Sequence, residues 1–225
     1  MREIVLDTET TGLDPKSGDR LVEIGCVELD NHLPTGRTYH QYVDPERDMP
    51  DEAFRVHGLS EAFLAKHPVF ADIAEPFLEF IGDAHLVIHN ANFDLGFINA
   101  ELLRLGRAPV EHRRAIDTVQ VARGKYPGAQ ASLDALCRRF EIDLSSRTKH
   151  GALLDAELLA DVYLELVGGR QPGFKLASQQ RKFNNENGDK QNKPARPPRP
   201  HAPSEAESAA HQTLIKKITD PIWLE

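Results

Sequence analysis

Two acids close a short, almost continuously apolar run: Asp7 ends the stretch Glu3–Asp7 and Glu9 follows two residues on, in the segment LDTETTG. Residues two apart in an extended chain project to the same side, so both carboxylates face one point at the end of the strand. Two like charges held together call for a cation between them. Further along, Asp94 extends a stripe with Ile98, Leu102 and Leu105 at intervals of four, four and three, the spacing of one helix face. Asp155 does the same with Leu159, Val162 and Leu166. A buried, unpaired carboxylate would protonate or cost several kcal/mol, of the order of a domain's whole stability. Any one of these acids could be a helix N-terminal residue answering the macrodipole, or the partner of a buried arginine. For all four, with no comparable set of inward cations, a shared metal site is the stronger reading. Hard oxygen ligands drawn from separate elements suit Mg²⁺ or Mn²⁺ rather than zinc.

His150 precedes Asp155 by five residues, which on one helix would place the two on different faces. Gly151 between them puts His150 instead in the preceding loop, near the acids. A neutral imidazole there could accept a proton from an attacking water. An ordinary surface histidine, one of ten in the chain, fits the same spacing equally well.

The elements that must position these residues follow from periodicity. Glu3–Asp7 reads as a central strand buried on both faces. Leu21–Leu29 and Arg37–Val43 form an antiparallel meander across the turn-like DNHLPTG, and Leu86–His89 and Arg114–Asp117 are shorter strands. Helical patterns occupy about Asp72–Ile81, Phe93–Leu105, Ser132–Phe140 and Ala152–Val167. Strands first, then alternating helices and strands, predict an α/β fold with helices packed on a mixed sheet. With 225 residues and 40% hydrophobic content, one domain with an appendage is expected. No apolar run reaches the ~18 residues of a membrane span, and MREIVLDTETTG lacks a signal-peptide pattern, so a cytoplasmic protein without a membrane partner is expected. Cys26 and Cys137, far apart, exclude a disulfide framework and a zinc ribbon and read as buried small hydrophobes.

The charge is uneven. Of 27 basic and 35 acidic residues, 10 and 6 follow Gly169, leaving 17 and 29 before it. Gln179–Ser204 is rich in Gln, Asn, Lys, Arg and Pro, the composition of a weakly basic linker, extended through KPARPPRP. Apolar residues then return as Leu214, Ile215, Ile218, Ile222, Trp223 and Leu224, which read as a partner-binding peptide, with a frayed chain end as the alternative. The chain thus divides into a domain over 1–168, a linker over 169–205 and a binding segment over 206–225.

LDTETTG, VIHNANFDLGFI and HGALLDA match, in order and composition, the three motifs of the DEDDh exonucleases. SLDALCRRFEID and VHGLS resemble in particular the epsilon proofreading subunits of bacterial DNA polymerase III. The likeness runs through residues 1 to 168. It implies a ribonuclease-H-like mixed sheet flanked by helices, and 3′–5′ removal of mispaired nucleotides from a DNA 3′ end, with two Mg²⁺ or Mn²⁺ ions per site. The family's metal-binding acids fall on Asp7, Glu9, Asp94 and Asp155, and its general base on His150, with no departure. Its contacts to the terminal nucleotide map onto Asp7, Thr8, Glu9, Thr10, Glu52, His57, Asn90 and Asp155; for Glu52, His57 and Asn90, capping or loop hydrogen bonds are an alternative. Gln171, Phe174 and Leu176 resemble a sliding-clamp peptide, although an incidental linker hydrophobe fits equally. Leu214, Ile215, Ile218, Ile222 and Trp223 resemble the anchor to the polymerase catalytic subunit, alpha. A stand-alone nuclease trimming RNA or DNA ends is the nearest rival, and a non-catalytic clamp- or polymerase-binding module the other; loss of an acid or of His150 would mark the latter, and none is missing.

Overall fold

The computed structural model describes residues 1–145, 149–168 and 203–217. They fall in two units, Met1–Lys175 and Leu176–Glu225. The first is built on a five-stranded sheet of order β3-β2-β1-β4-β5, with β1 Arg2–Thr10, β2 Leu21–Asp30, β3 Leu33–Tyr42, β4 His85–Ile88 and β5 Ala115–Asp117. β1, β2 and β3 pair antiparallel, whereas β4 joins β1 and β5 joins β4 in parallel. The strand with the paired acids is therefore the central one.

Alternation along β1 sends side chains into two cores. Ile4 and Leu6 enter the one built on Phe70, Phe77, Leu95 and Ile98, from helices α3 (Phe70–Ile81) and α4 (Ala91–Arg104). Val5, with Val27, Leu29 and Val87, enters the one built on Leu136, Leu159, Val162 and Tyr163, from α6 (Leu133–Arg139) and α7 (Ala152–Val167). Both faces of the sheet are thus covered, the arrangement that parallel strand pairs require. Cys26 and Cys137 are fully buried, one in each core.

Several elements depart from the expected ones. DNHLPTG supplies only Asn31 and His32 to the turn. Both have positive φ, 50° and 68°, as a two-residue hairpin demands, and pairing resumes with Asp30 opposite Leu33. Helices α1 (Asp51–His57), α2 (Glu61–Leu64) and α5 (Thr118–Lys125) had no periodic signature. In α1 only His57 is buried, so there is no apolar stripe to read. The Asp94 stripe also ends one residue early: Leu102 is buried, but Leu105 caps α4 and is 39% exposed.

In the second unit, α8 (Glu205–Ile215) starts at a capping box in which the Ser204 and Glu207 side chains satisfy each other's backbone N–H groups. Leu214 is exposed and Ile215 buried. Ile218, Ile222 and Trp223, like Gln171, Phe174 and Leu176, lie outside the described residues. Among the described residues no helix is long and apolar enough to cross a membrane.

Candidate active site

β1 delivers Asp7 and Glu9 on the face that α7 covers, and two helices bring an acid each from their first turns, Asp94 from α4 and Asp155 from α7. Glu9, Asp94 and Asp155 are buried and Asp7 is partly so. All four line one cavity of about 360 Å³, together with Thr8, His150 and the start of α6 at Ser132–Asp134. The strand, the two helices and the loop before α7 therefore meet at one cavity.

His150 stands in that loop and is half exposed, with Nδ1 3.1 Å from Asp155 Oδ2. Its backbone N–H donates to the Val56 carbonyl at 3.4 Å, tying the loop to α1. Ligand atoms of Glu9, His150 and Asp155 lie within 4.8 Å of one another, close enough to share one cation. The donors are two carboxylates and an imidazole, and the cavity lining supplies three further carboxylates, Asp7, Asp94 and Asp134. That set fits hard divalent cations.

Asp94 carries the plainest electrostatic sign of such a site. Burial raises its carboxyl from an ordinary 3.8 to about 7, although the Thr8 hydroxyl donates to Oδ1 at 2.7 Å and backbone N–H groups of Thr8 and Asp94 favour the charged form. Because the folded value lies above the ordinary one, its contribution to stability is full below 3.8 and is lost as pH rises through about 7. Thermal unfolding in a chelator should show stability declining between those limits, by less in Asp94→Asn. A divalent cation requires the ionised acid, so Mn²⁺ should raise the midpoint more at pH 8 than at pH 6 in the parent protein. An equal gain in the Asn variant would exclude Asp94 as a ligand.

What sets the separation of Asp7 from Asp155 is a glycine. Gly25 on β2 lies directly opposite Asp7, and a Cβ there would come within 2.2 Å of the Ala152 carbonyl carbon and the Leu153 nitrogen. The first turn of α7 thus rests on bare sheet backbone, a close approach only glycine permits. Deeper along the same helix, the Tyr163 hydroxyl donates to Glu3 Oε1 at 2.7 Å, fastening the far end of α7 to the far end of β1. Gly25→Ala is expected to displace the Asp155 turn and weaken Mn²⁺ binding by at least about tenfold, measured calorimetrically with the fold checked by circular dichroism. Unchanged Mn²⁺ affinity would refute this role for the glycine.

A second cavity of about 360 Å³ adjoins the first, sharing Thr8, Glu9 and Phe93 with it. Its walls are largely apolar, from Leu13, Pro50, Ala53 and Val56, with Thr10, Glu52 and His57 as polar contributors. The Thr10 hydroxyl donates to the Gly12 carbonyl at 2.6 Å, which fixes the turn. His57 Nδ1 accepts from the Leu59 N–H at 3.0 Å, while its buried Nε2 faces the Thr10 backbone without reaching hydrogen-bonding geometry. Burial holds this imidazole below its usual pKa, favouring the neutral form. Glu52 is exposed at the rim. Asn90 is not brought into the lining of either cavity; it caps α4 with φ 72°.

Residues without a sequence signal complete the site. Phe93 stands between the two cavities, and His89 reaches the acidic one with Nδ1 2.9 Å from the Thr118 hydroxyl. Ser132 was legible only as the first residue of a predicted helix, which it caps.

Comparison with known proteins places the chain in a family. The exonuclease family RNase_T matches residues 4–163. The DNA polymerase III subunit epsilon of Rickettsia felis is 55% identical over 188 residues, 82% of each chain. That of Rickettsia conorii is 49% identical over 222 residues, covering 97% of this chain and 96% of its own. Among solved structures, exonuclease X in complex with 5′ overhanging duplex DNA is 25% identical with a TM-score of 0.59, over 73% of this chain and 90% of that one.

Proposed function

The chain belongs to the RNase_T exonuclease family, among the DNA polymerase III epsilon subunits, and is a metal-dependent proofreading 3′–5′ exonuclease; on that premise we propose which residues carry the activity. Asp7, Glu9, Asp94 and Asp155 hold a pair of divalent cations, Mg²⁺ or Mn²⁺. The observation that carries this assignment is the convergence of four acids on one cavity, with Asp94 displaced to about 7 by burial. When bound, the cations supply positive charge to an in-line displacement at the scissile phosphate.

The protein's own groups do the rest. Asp155 accepts a hydrogen bond from His150 Nδ1–H, which orients the ring and leaves Nε2 to take the proton of the attacking water. The apolar cavity receives the terminal nucleoside, with Thr8, Thr10, Glu52 and the buried His57 imidazole as its polar contacts. Asn90, exposed at the left-handed cap ahead of Asp94 and outside both cavity linings, is the further contact to the same nucleotide. With 17 basic against 29 acidic residues, the segment before Arg170 attracts long DNA poorly. It grips a few frayed nucleotides, which favours mispaired ends.

Delivery falls to the remainder of the chain, divided as exonuclease domain 1–168, linker 169–205 and binding segment 206–225. Gln171, Phe174 and Leu176 bind the sliding clamp, beta. Leu214, Ile215, Ile218, Ile222 and Trp223 bind the polymerase catalytic subunit, alpha, in the cytoplasm. Two attachments through one linker raise the local concentration of the nuclease to roughly millimolar. Deleting residues 206–225 should spare cleavage of single strands and abolish co-purification with alpha; a truncated chain that still co-purifies would refute the anchor. For the activity itself, a 3′-mispaired primer-template is incubated with Mg²⁺ or with a chelator. Deoxynucleoside monophosphates are expected only with the cation, and their absence in both would refute the reading.

A further inference from the structure

Helix α6 begins at the acidic cavity and leads away from it. Its cap and first turn, Ser132–Asp134, wall that cavity. Ala135, Arg138 and Arg139, one face at helical spacing, wall a neighbouring shallow groove of about 530 Å³ completed by Ala129 and Gln130. In so acidic a segment, a groove whose described lining has two arginines and no carboxylate stands out.

Both guanidinium groups are available to a ligand. Arg138 is 71% exposed, and its ion pair with Asp134, one turn back, is long at 3.8 Å. The Arg139 guanidinium sits over the Tyr126 ring, 4.6 Å from its centroid. Stacking engages the flat face of the group and leaves its N–H edge to donate, which is how arginine recognises phosphate oxygens.

The route of the strand follows from the two cavities. With the terminal nucleoside in the apolar one, the reacting phosphate lies over the acids, and the preceding nucleotides leave along the part of the acidic cavity that the apolar one does not share, which includes the start of α6. Ser132 and Arg138 are about 9 Å apart along the helix, so the arginines stand beside the next phosphates of that strand. Resting on the nuclease reading above, we propose that the α6 groove is a second nucleic-acid subsite, in which Arg138 and Arg139 bind backbone phosphates of the single-stranded 3′ end upstream of the reacting nucleotide.

The test compares the parent chain with Arg138→Ala/Arg139→Ala on a dinucleotide and on a ten-nucleotide single strand over a range of salt. Two lost contacts should raise KM for the longer substrate about tenfold at low salt and flatten the slope of log(kcat/KM) against log[salt] by roughly 1.4. The dinucleotide, too short to reach the groove, should change less than twofold, and Arg138→Lys/Arg139→Lys should recover most of the loss. Equal effects on both lengths, or no effect on the longer one, would overturn the subsite. A parent chain inactive on both substrates would instead refute the nuclease reading.

Discussion

Asp7→Ala is expected to lower kcat for release of 3′-terminal nucleotides by at least about a thousandfold, equivalent to ~4 kcal/mol of transition-state stabilisation. The size follows from position. Asp7 lies on the central strand of the sheet, on the face that α7 covers, and lines the cavity into which α4 and α7 turn their acids. Glu52 provides the contrast, being exposed at the rim of the apolar cavity. Its replacement by Ala should cost no more than about tenfold, chiefly in KM, as the loss of one exposed polar contact does. Rates measured with saturating oligonucleotide, alongside Mn²⁺ binding, separate the two. An Asp7→Ala enzyme that kept a tenth of its activity, or bound Mn²⁺ as the parent does, would remove Asp7 from the metal site.

The second large effect is expected at His150. Removing a general base costs about 10²- to 10⁴-fold, and His150→Ala should fall in that range at neutral pH. The geometry leaves two chemically distinct roles for the side chain. Its ring could be a cation ligand, being within reach of Glu9 and Asp155, or a base held by Asp155. The base role predicts Mn²⁺ affinity within a few-fold of the parent and partial recovery of rate with added imidazole, since the half-exposed ring leaves a gap open to solvent. A parallel collapse of Mn²⁺ affinity, without rescue, would make it a ligand instead. Full activity in the variant would exclude both roles.

Periodicity exposed the acids because each interrupts a pattern that should have been apolar. Ile98 and Leu102 behind Asp94, and Leu159, Val162 and Leu166 behind Asp155, are buried, and the acids share their fate. The same reasoning failed where no pattern existed to interrupt. α1 buries only His57, so its seven residues carried no stripe, and the apolar cavity it walls went unforeseen. The hairpin at Asn31–His32 was lost inside a longer turn-like run, since Asn and His take positive φ less readily than the glycine that marks such a turn most plainly.

The residue types and their spacing by themselves determined that four carboxylates face inward and that His150 stands just outside a helix, because strand and helix periods are local properties of the chain. How near those groups come to one another was decided only in three dimensions. The approach of α7 to β1 depends on a bare glycine backbone at Gly25 and on the Tyr163–Glu3 bond, contacts between residues more than a hundred positions apart in sequence. The elevation of Asp94 to about 7 likewise comes from the low-dielectric surroundings that the assembled elements create together, and no single segment contains them.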